Sequence, residues 1–148
     1  MSKSRRSVLD RSPVHLLHRA SQTVADLFSR EIKSDLTPRQ LAVLTAVARN
    51  EGCNQTDIVE QTGIDRSTMA EMVRRLVQKG LIERRRSKKD TRAYVIKLST
   101  DGLRVLKGAE PLAKRVDDKV LQALGTRSGA FLDSLSMLAQ RLEGATKT

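Results

Sequence analysis

Cysteine occurs once in the 148 residues, at Cys53, and tryptophan is absent. A lone cysteine excludes an internal disulfide framework and a multi-cysteine metal site. Aromatic side chains are confined to Phe28, Tyr94 and Phe131. Proteins that hold single-stranded nucleic acid stack bases on several rings, so their scarcity argues against that mode. No apolar run reaches the roughly 20 residues of a membrane helix. The opening MSKSRRSVLDRS is basic but lacks the apolar stretch of a secretory signal. These absences fit a cytoplasmic protein. Acidic residues are also scarce: 17 stand against 28 lysines and arginines, a formal net charge of +11. Such an excess points to an anionic partner, with nucleic acid foremost. Apolar residues make up 39% of the chain, enough for the core of one compact domain.

The pattern of apolar residues and helix-start signals predicts a mainly α fold with one small β-hairpin. Residues 1–11 read as a flexible basic arm, carrying Lys3, Arg5, Arg6 and Arg11. Ser12-Pro13 opens a first helix to about residue 33, with apolar positions from Val14 to Ile32 at helical spacing. Thr37 and Gln40 form a capping box for a second helix, whose inner stripe reads as Leu41, Leu44 and Ala48. Asn54 caps a short third helix, and Gly63 permits the turn after it. Asp65 caps a fourth, where Met69, Met72, Val73, Leu76 and Val77 form a clean stripe. After Gly80, residues 81–86 and 93–98 read as strands around a polar tip at 87–92. Ser99 caps a fifth helix, expected to bend at Gly108 and Pro111. A sixth follows Gly125, with Phe131, Leu135, Leu138 and Leu142 in steps of four and three. Residues 144–148 read as a tail.

The third and fourth helices and their glycine turn make a helix-turn-helix pattern. In that motif the start of the second helix reaches base edges, and Arg66, Ser67 and Thr68 lie at this start. Glu71, Arg74 and Gln78 fall on the same outer side. Arginine can bond guanine bidentately, and Glu71 could accept from a cytosine amino group. Between Arg66 and Arg92 stand ten basic and three acidic residues, a surplus of seven out of the total of eleven. The set includes Arg66, Arg74, Arg75, Arg86, Lys88, Lys89 and Arg92. A basic hairpin directly after such a helix pair reads as a wing on the duplex backbone or in the minor groove.

Further residues carry a resemblance. Gly63-Ile64-Asp65-Arg66-Ser67-Thr68-Met69 and Leu76-Val77-Gln78-Lys79-Gly80-Leu81-Ile82-Glu83-Arg84 resemble the MarR family of regulators. Asp90-Thr91-Arg92 matches that family's wing signature, and Leu98-Ser99-Thr100-Asp101-Gly102 its strand-to-helix junction. The resemblance implies a winged helix-turn-helix lobe, residues 36–98. Dimerization elements would flank it at 12–35 and 99–143. It also implies that Asp90 helps to hold the wing while Arg92 reaches the minor groove. A homodimer on a pseudo-palindromic double-stranded DNA operator is expected, with repression as the family default.

Family members commonly bind a small aromatic anion between the lobes. His15 and His18 share one face of the first helix, with Arg19 beside them, and Arg39 begins the second helix. This set could clamp an anionic effector, or serve as surface or dimer contacts. A metal site at the two histidines lacks further ligands, and no cofactor is implied. His15-Leu16-Leu17-His18-Arg19 and Leu36-Thr37-Pro38-Arg39-Gln40 are similar to members controlling aromatic-acid degradation, some sensing the coenzyme A thioester. Cys53 reads as a packing residue. No catalytic motif is visible. An RNA-binding or interaction module without an effector is the alternative.

Overall fold

Side-chain caps start each major helix up to the fifth. The computed structural model describes residues 7–146. Ser7 and Asp10 form a capping box on a 3-10 turn, Val8–Arg11. Ser12 then caps α1 (Pro13–Glu31), and Thr37 with Gln40 boxes the start of α2 (Pro38–Arg49). Asn54 and Asp57 box α3 (Gln55–Thr62), which ends at Gly63 with φ of 69°. That left-handed conformation is readily adopted only by glycine. Asp65 caps α4 (Arg66–Gln78). Strands β1 (Ile82–Arg86) and β2 (Tyr94–Leu98) pair antiparallel, with Ile82 opposite Leu98 and Arg86 opposite Tyr94. Ser99 caps α5 (Thr100–Leu124). A 3-10 turn, Gly125–Arg127, leads into α6 (Ser128–Thr146).

The core lies where α2, α3, α4, the hairpin and the first half of α5 meet. Val43, Leu44, Ile58, Met69, Val73, Leu76 and Ile82 are fully buried there. Each large apolar side chain removed from water stabilises the fold by about 1.5–3 kcal/mol. The stripe predicted for α4 supplies Met69, Met72, Val73 and Leu76, while Val77 stays partly exposed. Burying that stripe turns the opposite face of α4 to solvent. Phe28 and Ile32 at the end of α1, and Leu106, Ala109 and Val116 of α5, join the same core. The lobe and the long helices are thus packed together.

Several expectations differ from the structure. Residues 1–6 of the expected arm lie outside the described residues, whereas Val8–Arg11 form a capped turn rather than a loose segment. At the other end α6 continues to Thr146, so residues 144–146 are helical and not a tail. On α2 the inner face is Gln40, Val43, Leu44, Ala46 and Val47, and Ala48 is exposed. The larger valines take the core, and alanine has little area to lose by facing water. α5 passes through Gly108 and Pro111 as one helix. The helix is continuous at the proline, which is compatible with the expected bend there.

The apolar stripe of α1 is covered only at its C-terminal end. Val14, Leu16, Leu17 and Val24 are exposed, and no residue of α6 is buried. On α6, Phe131, Leu132, Leu135, Met137, Leu138 and Leu142 all face solvent in the single chain. No helix among the described residues is long and apolar enough to cross a membrane.

Candidate nucleic-acid interface

The start of α4 is held open and rigid by its own cap. Asp65 accepts from the Thr68 backbone N–H at 3.0 Å and from the Ser67 hydroxyl at 2.8 Å. Bonds from Thr68 and then Ser67 hold the Asp65 carboxyl well below the usual carboxylate range. The ionised cap fixes the first turn, in which Arg66 and Ser67 are exposed and Thr68 is half-buried. Ser67 spends its proton on Asp65, so its oxygen faces solvent as an acceptor. One turn on, Glu71 is gripped by Arg74 at 2.9 Å and Arg75 at 3.2 Å. The sequence-based role for Glu71, accepting from a base, therefore competes with two arginines already in place. The trio presents a net positive charge.

The hairpin tip is built by local hydrogen bonds. Ser87 N–H donates to the Ala93 carbonyl at 2.9 Å, and the Ser87 hydroxyl accepts from the Lys89 and Asp90 N–H groups at 3.2 and 3.4 Å. Asp90 accepts from the Arg92 backbone N–H at 3.0 Å. That bond shapes the turn without engaging the Arg92 guanidinium. Arg86 donates to the Thr91 carbonyl at 2.9 Å, and its guanidinium lies 5.5 Å from the centre of the Tyr94 ring. This cation–π contact stiffens the hairpin where the strands diverge. Among the described residues no carboxylate pairs with Arg66, Lys88, Lys89 or Arg92. These four cations, at the helix start and wing tip, are available to an anionic ligand.

The wing is tied to the helix pair at two points that the sequence did not disclose. Ile96 N–H donates to the Cys53 carbonyl at 2.8 Å, and Arg84 donates to the Gln55 side chain at 3.0 Å. Tyr94 and Gln55 carried no motif. Only the hairpin register, which sets Tyr94 opposite Arg86, could have singled out the first. Cys53 is buried, and desolvation, then the charge of Asp57, pushes its thiol up. It packs rather than reacts. At the base of the wing, Ser99 N–H donates to the Leu81 carbonyl at 3.1 Å, and Ser99 Oγ accepts from Gly102 N–H at 2.9 Å. Lys79, just beyond α4, pairs with Asp35 of the α1–α2 connection at 2.7 Å.

A separate cleft of about 550 Å³ lies between α1, α2 and α5, with the end of α3 at Gln61 and Thr62 also on its wall. Val24, Phe28, Leu41 and Val116 give it apolar walls, and Arg49 and Asp117 stand at its edge. None of His15, His18, Arg19 and Arg39 lines it. On α1, helical rotation of about 100° per residue sets His15 and His18 well off the face that carries Val24. Arg39 instead borders two other clefts, formed with the Gly63–Asp65 turn and with Ser67, Thr68 and Arg75 of α4. Arg39 thus lines clefts other than this one, while His15, His18 and Arg19 remain neighbours on α1 away from its walls.

Comparison with known proteins matches this geometry. Residues 34–93 fit the model of the MarR family. The transcriptional regulator HosA of Escherichia coli O111:H- is 31% identical over 111 residues, 75% of this chain and 80% of HosA. The PcaV regulator of Streptomyces coelicolor, solved with its natural ligand, superposes with a TM-score of 0.83 at 32% identity. That match covers 90% of this chain and 96% of PcaV. The transcriptional repressor CouR on a 23-mer DNA duplex gives 0.81 at 32% identity, covering 93% and 99%. CouR bound to p-coumaroyl-CoA gives 0.79 at 30%, covering 93% and 98%. These relatives are regulators and not enzymes. The helix pair, its charged wing and the flanking helices make this chain a member of the MarR family of DNA-binding transcriptional regulators.

Proposed function

We propose that the protein is a homodimeric, cytoplasmic repressor that reads a pseudo-palindromic duplex operator and leaves it on binding a small anionic effector. The observation that carries this reading is the open start of α4, followed in sequence by a wing whose tip cations pair with no carboxylate among the described residues. Arg66, Ser67 and Thr68 read base edges in the major groove, with Arg74 and Arg75 held by Glu71 beside them. Arg86, Lys88, Lys89 and Arg92 follow the backbone, Arg92 entering the minor groove, on a wing shaped by Asp90. CouR, of the same fold, has been solved on duplex DNA.

The uncovered faces of α1 and α6 call for a second copy. Exposed apolar patches of this extent are rarely left to water. A two-fold pairing buries both copies of one patch at once. Two reading heads then meet half-sites about 34–36 Å apart.

The effector is an aromatic acid or its coenzyme A thioester, taken into the α1–α2–α5 cleft, whose size suits such a ligand. Arg49 supplies the cation at its edge. His15, His18 and Arg19 belong to this site only once a second chain closes the outward side of α1. PcaV and CouR have each been solved with a ligand, p-coumaroyl-CoA in the case of CouR. Release requires the ligand to prefer a spacing of the reading heads that does not fit the operator.

Selection on random duplexes tests the whole reading. A two-fold symmetric site with half-sites one helical turn apart is expected. An asymmetric site, or preference for RNA of matched length, would refute it. Displacement of the selected duplex by p-coumaroyl-CoA or a free aromatic acid tests the effector.

A further inference from the structure

Arg39 lies apart from the effector cleft and beside the recognition helix. It stands in the first turn of α2, exposed, between two open clefts. One is walled by Gly63, Ile64 and Asp65 of the turn. The other, about 480 Å³, is walled by Ser67, Thr68, Glu71 and Arg75 of α4. Both thus border the start of the recognition helix, and neither touches α1 or α5.

The charges around Arg39 leave it free for an external anion. Among the described residues no carboxylate pairs with its guanidinium. Two acidic groups line these clefts, and both are engaged elsewhere; the Glu143 carboxylate of α6 reaches the Gly63 wall of the first cleft only. Asp65 is spent on the α4 cap and Glu71 on Arg74 and Arg75. Arg39 and Arg75 against Glu71 leave one positive charge on the walls of the second cleft, and Arg74 holds the far side of Glu71. The backbone adds a donor. Pro38 has no N–H, and the capping box occupies the N–H groups of Thr37 and Gln40. Among the described residues the Arg39 N–H has no acceptor.

We infer that Arg39, which lines this cleft together with Arg75, grips a backbone phosphate of the duplex beside the recognition helix. The inference rests on the DNA-reading function proposed above and moves Arg39 from the effector set to the DNA interface. Its guanidinium fits two phosphate oxygens at once. The contact carries no base information, so it sets the depth and register of α4 in the groove.

The test measures affinity of the full chain for a mixed-sequence duplex and for its selected operator across a salt series. Each phosphate contact contributes about 0.9 to the slope of log K against log salt. Arg39→Gln should lower that slope by about 0.9 on both duplexes and weaken both by the same factor, up to about tenfold. Arg39→Lys should restore the slope, since it returns the charge. Lys88→Gln is run alongside as a wing contact. An unchanged slope in Arg39→Gln with a reduced slope in Lys88→Gln would overturn the inference and leave the DNA reading standing. Unchanged slopes in both would overturn the DNA reading as well. Loss of p-coumaroyl-CoA binding in Arg39→Gln, with DNA slope intact, would return the residue to the effector.

Discussion

Gly102→Ala should destabilise the protein by about 2–4 kcal/mol, although alanine is normally the better helix former. Gly102 is buried in the first turns of α5. A Cβ there would lie 1.9 Å from the Leu81 carbonyl oxygen and 2.9 Å from its carbon. To reach even 3.0 Å, α5 and the entry to β1 must part by about 1 Å. The same carbonyl accepts from Ser99 N–H, so that movement also strains the hydrogen bond joining wing to helix. Overpacking of this kind costs about 1–3 kcal/mol, and a lost hydrogen bond adds roughly 0.5–1.5. Gly108, in the same helix, is the control, because a Cβ there meets nothing within 4 Å. Gly108→Ala should stabilise by up to about 1 kcal/mol. Urea denaturation of the two variants at one protein concentration decides the matter. If Gly102→Ala matched the wild type or gained stability as Gly108→Ala does, the close approach of α5 to the wing base would be wrong.

Three further outcomes follow from the same geometry. Lys119 and then Arg115 lower the carboxyl of Glu31, Lys79 lowers that of Asp35, and Thr68 with Ser67 lowers that of Asp65. A group with a depressed folded pKa stabilises above its unfolded value and loses that contribution as pH falls through the folded value. The melting temperature should therefore drop as pH falls below about 4.5, less steeply in Glu31→Gln and in high salt. A Glu31→Gln profile identical to wild type would refute the Glu31 contribution. Leu138→Asp places a charge on the open face of α6 and should shift sedimentation from dimer to monomer at micromolar concentration; an unaltered dimer would exclude that face. Cys53 should resist thiol reagents in the native protein and react only on unfolding, and rapid native labelling would contradict its burial.

The parts of the fold set by local chemistry were legible in the sequence. Ser12, Thr37, Asn54, Asp65 and Ser99 cap the helices at the expected positions because each oxygen needs only a backbone N–H two or three residues away. The α4 stripe was equally plain, since five apolar residues at helical spacing leave one way to face the core. The face of α2 was not, because alanine and valine alternate there and only packing against α5 and β2 decides which is inside. At the site, the free cations of wing and α4 follow from charge and order in the chain. Glu71's capture by two arginines, Tyr94 under Arg86 and Gln55 on Arg84 depend on side-chain reach. The sequence left the histidines of α1 and Arg39 as either one anion clamp or surface and dimer contacts, and only the fold shows Arg39 lining clefts that the histidines do not.

Cleavage of bound duplex from iron chelates tethered to single introduced cysteines tests the central claim most directly. Ala70→Cys stands one turn beyond Arg66 on the exposed side of α4, Thr91→Cys at the wing tip and Glu110→Cys on the outer side of α5. The native thiol is buried and leaves the introduced one to be labelled. Cuts from positions 70 and 91 should fall in two short neighbouring windows, repeated about a two-fold centre, with none from position 110. Cuts from position 110 alone, or no cutting by position 70 in a bound complex, would contradict the assignment of α4 and the wing to the DNA.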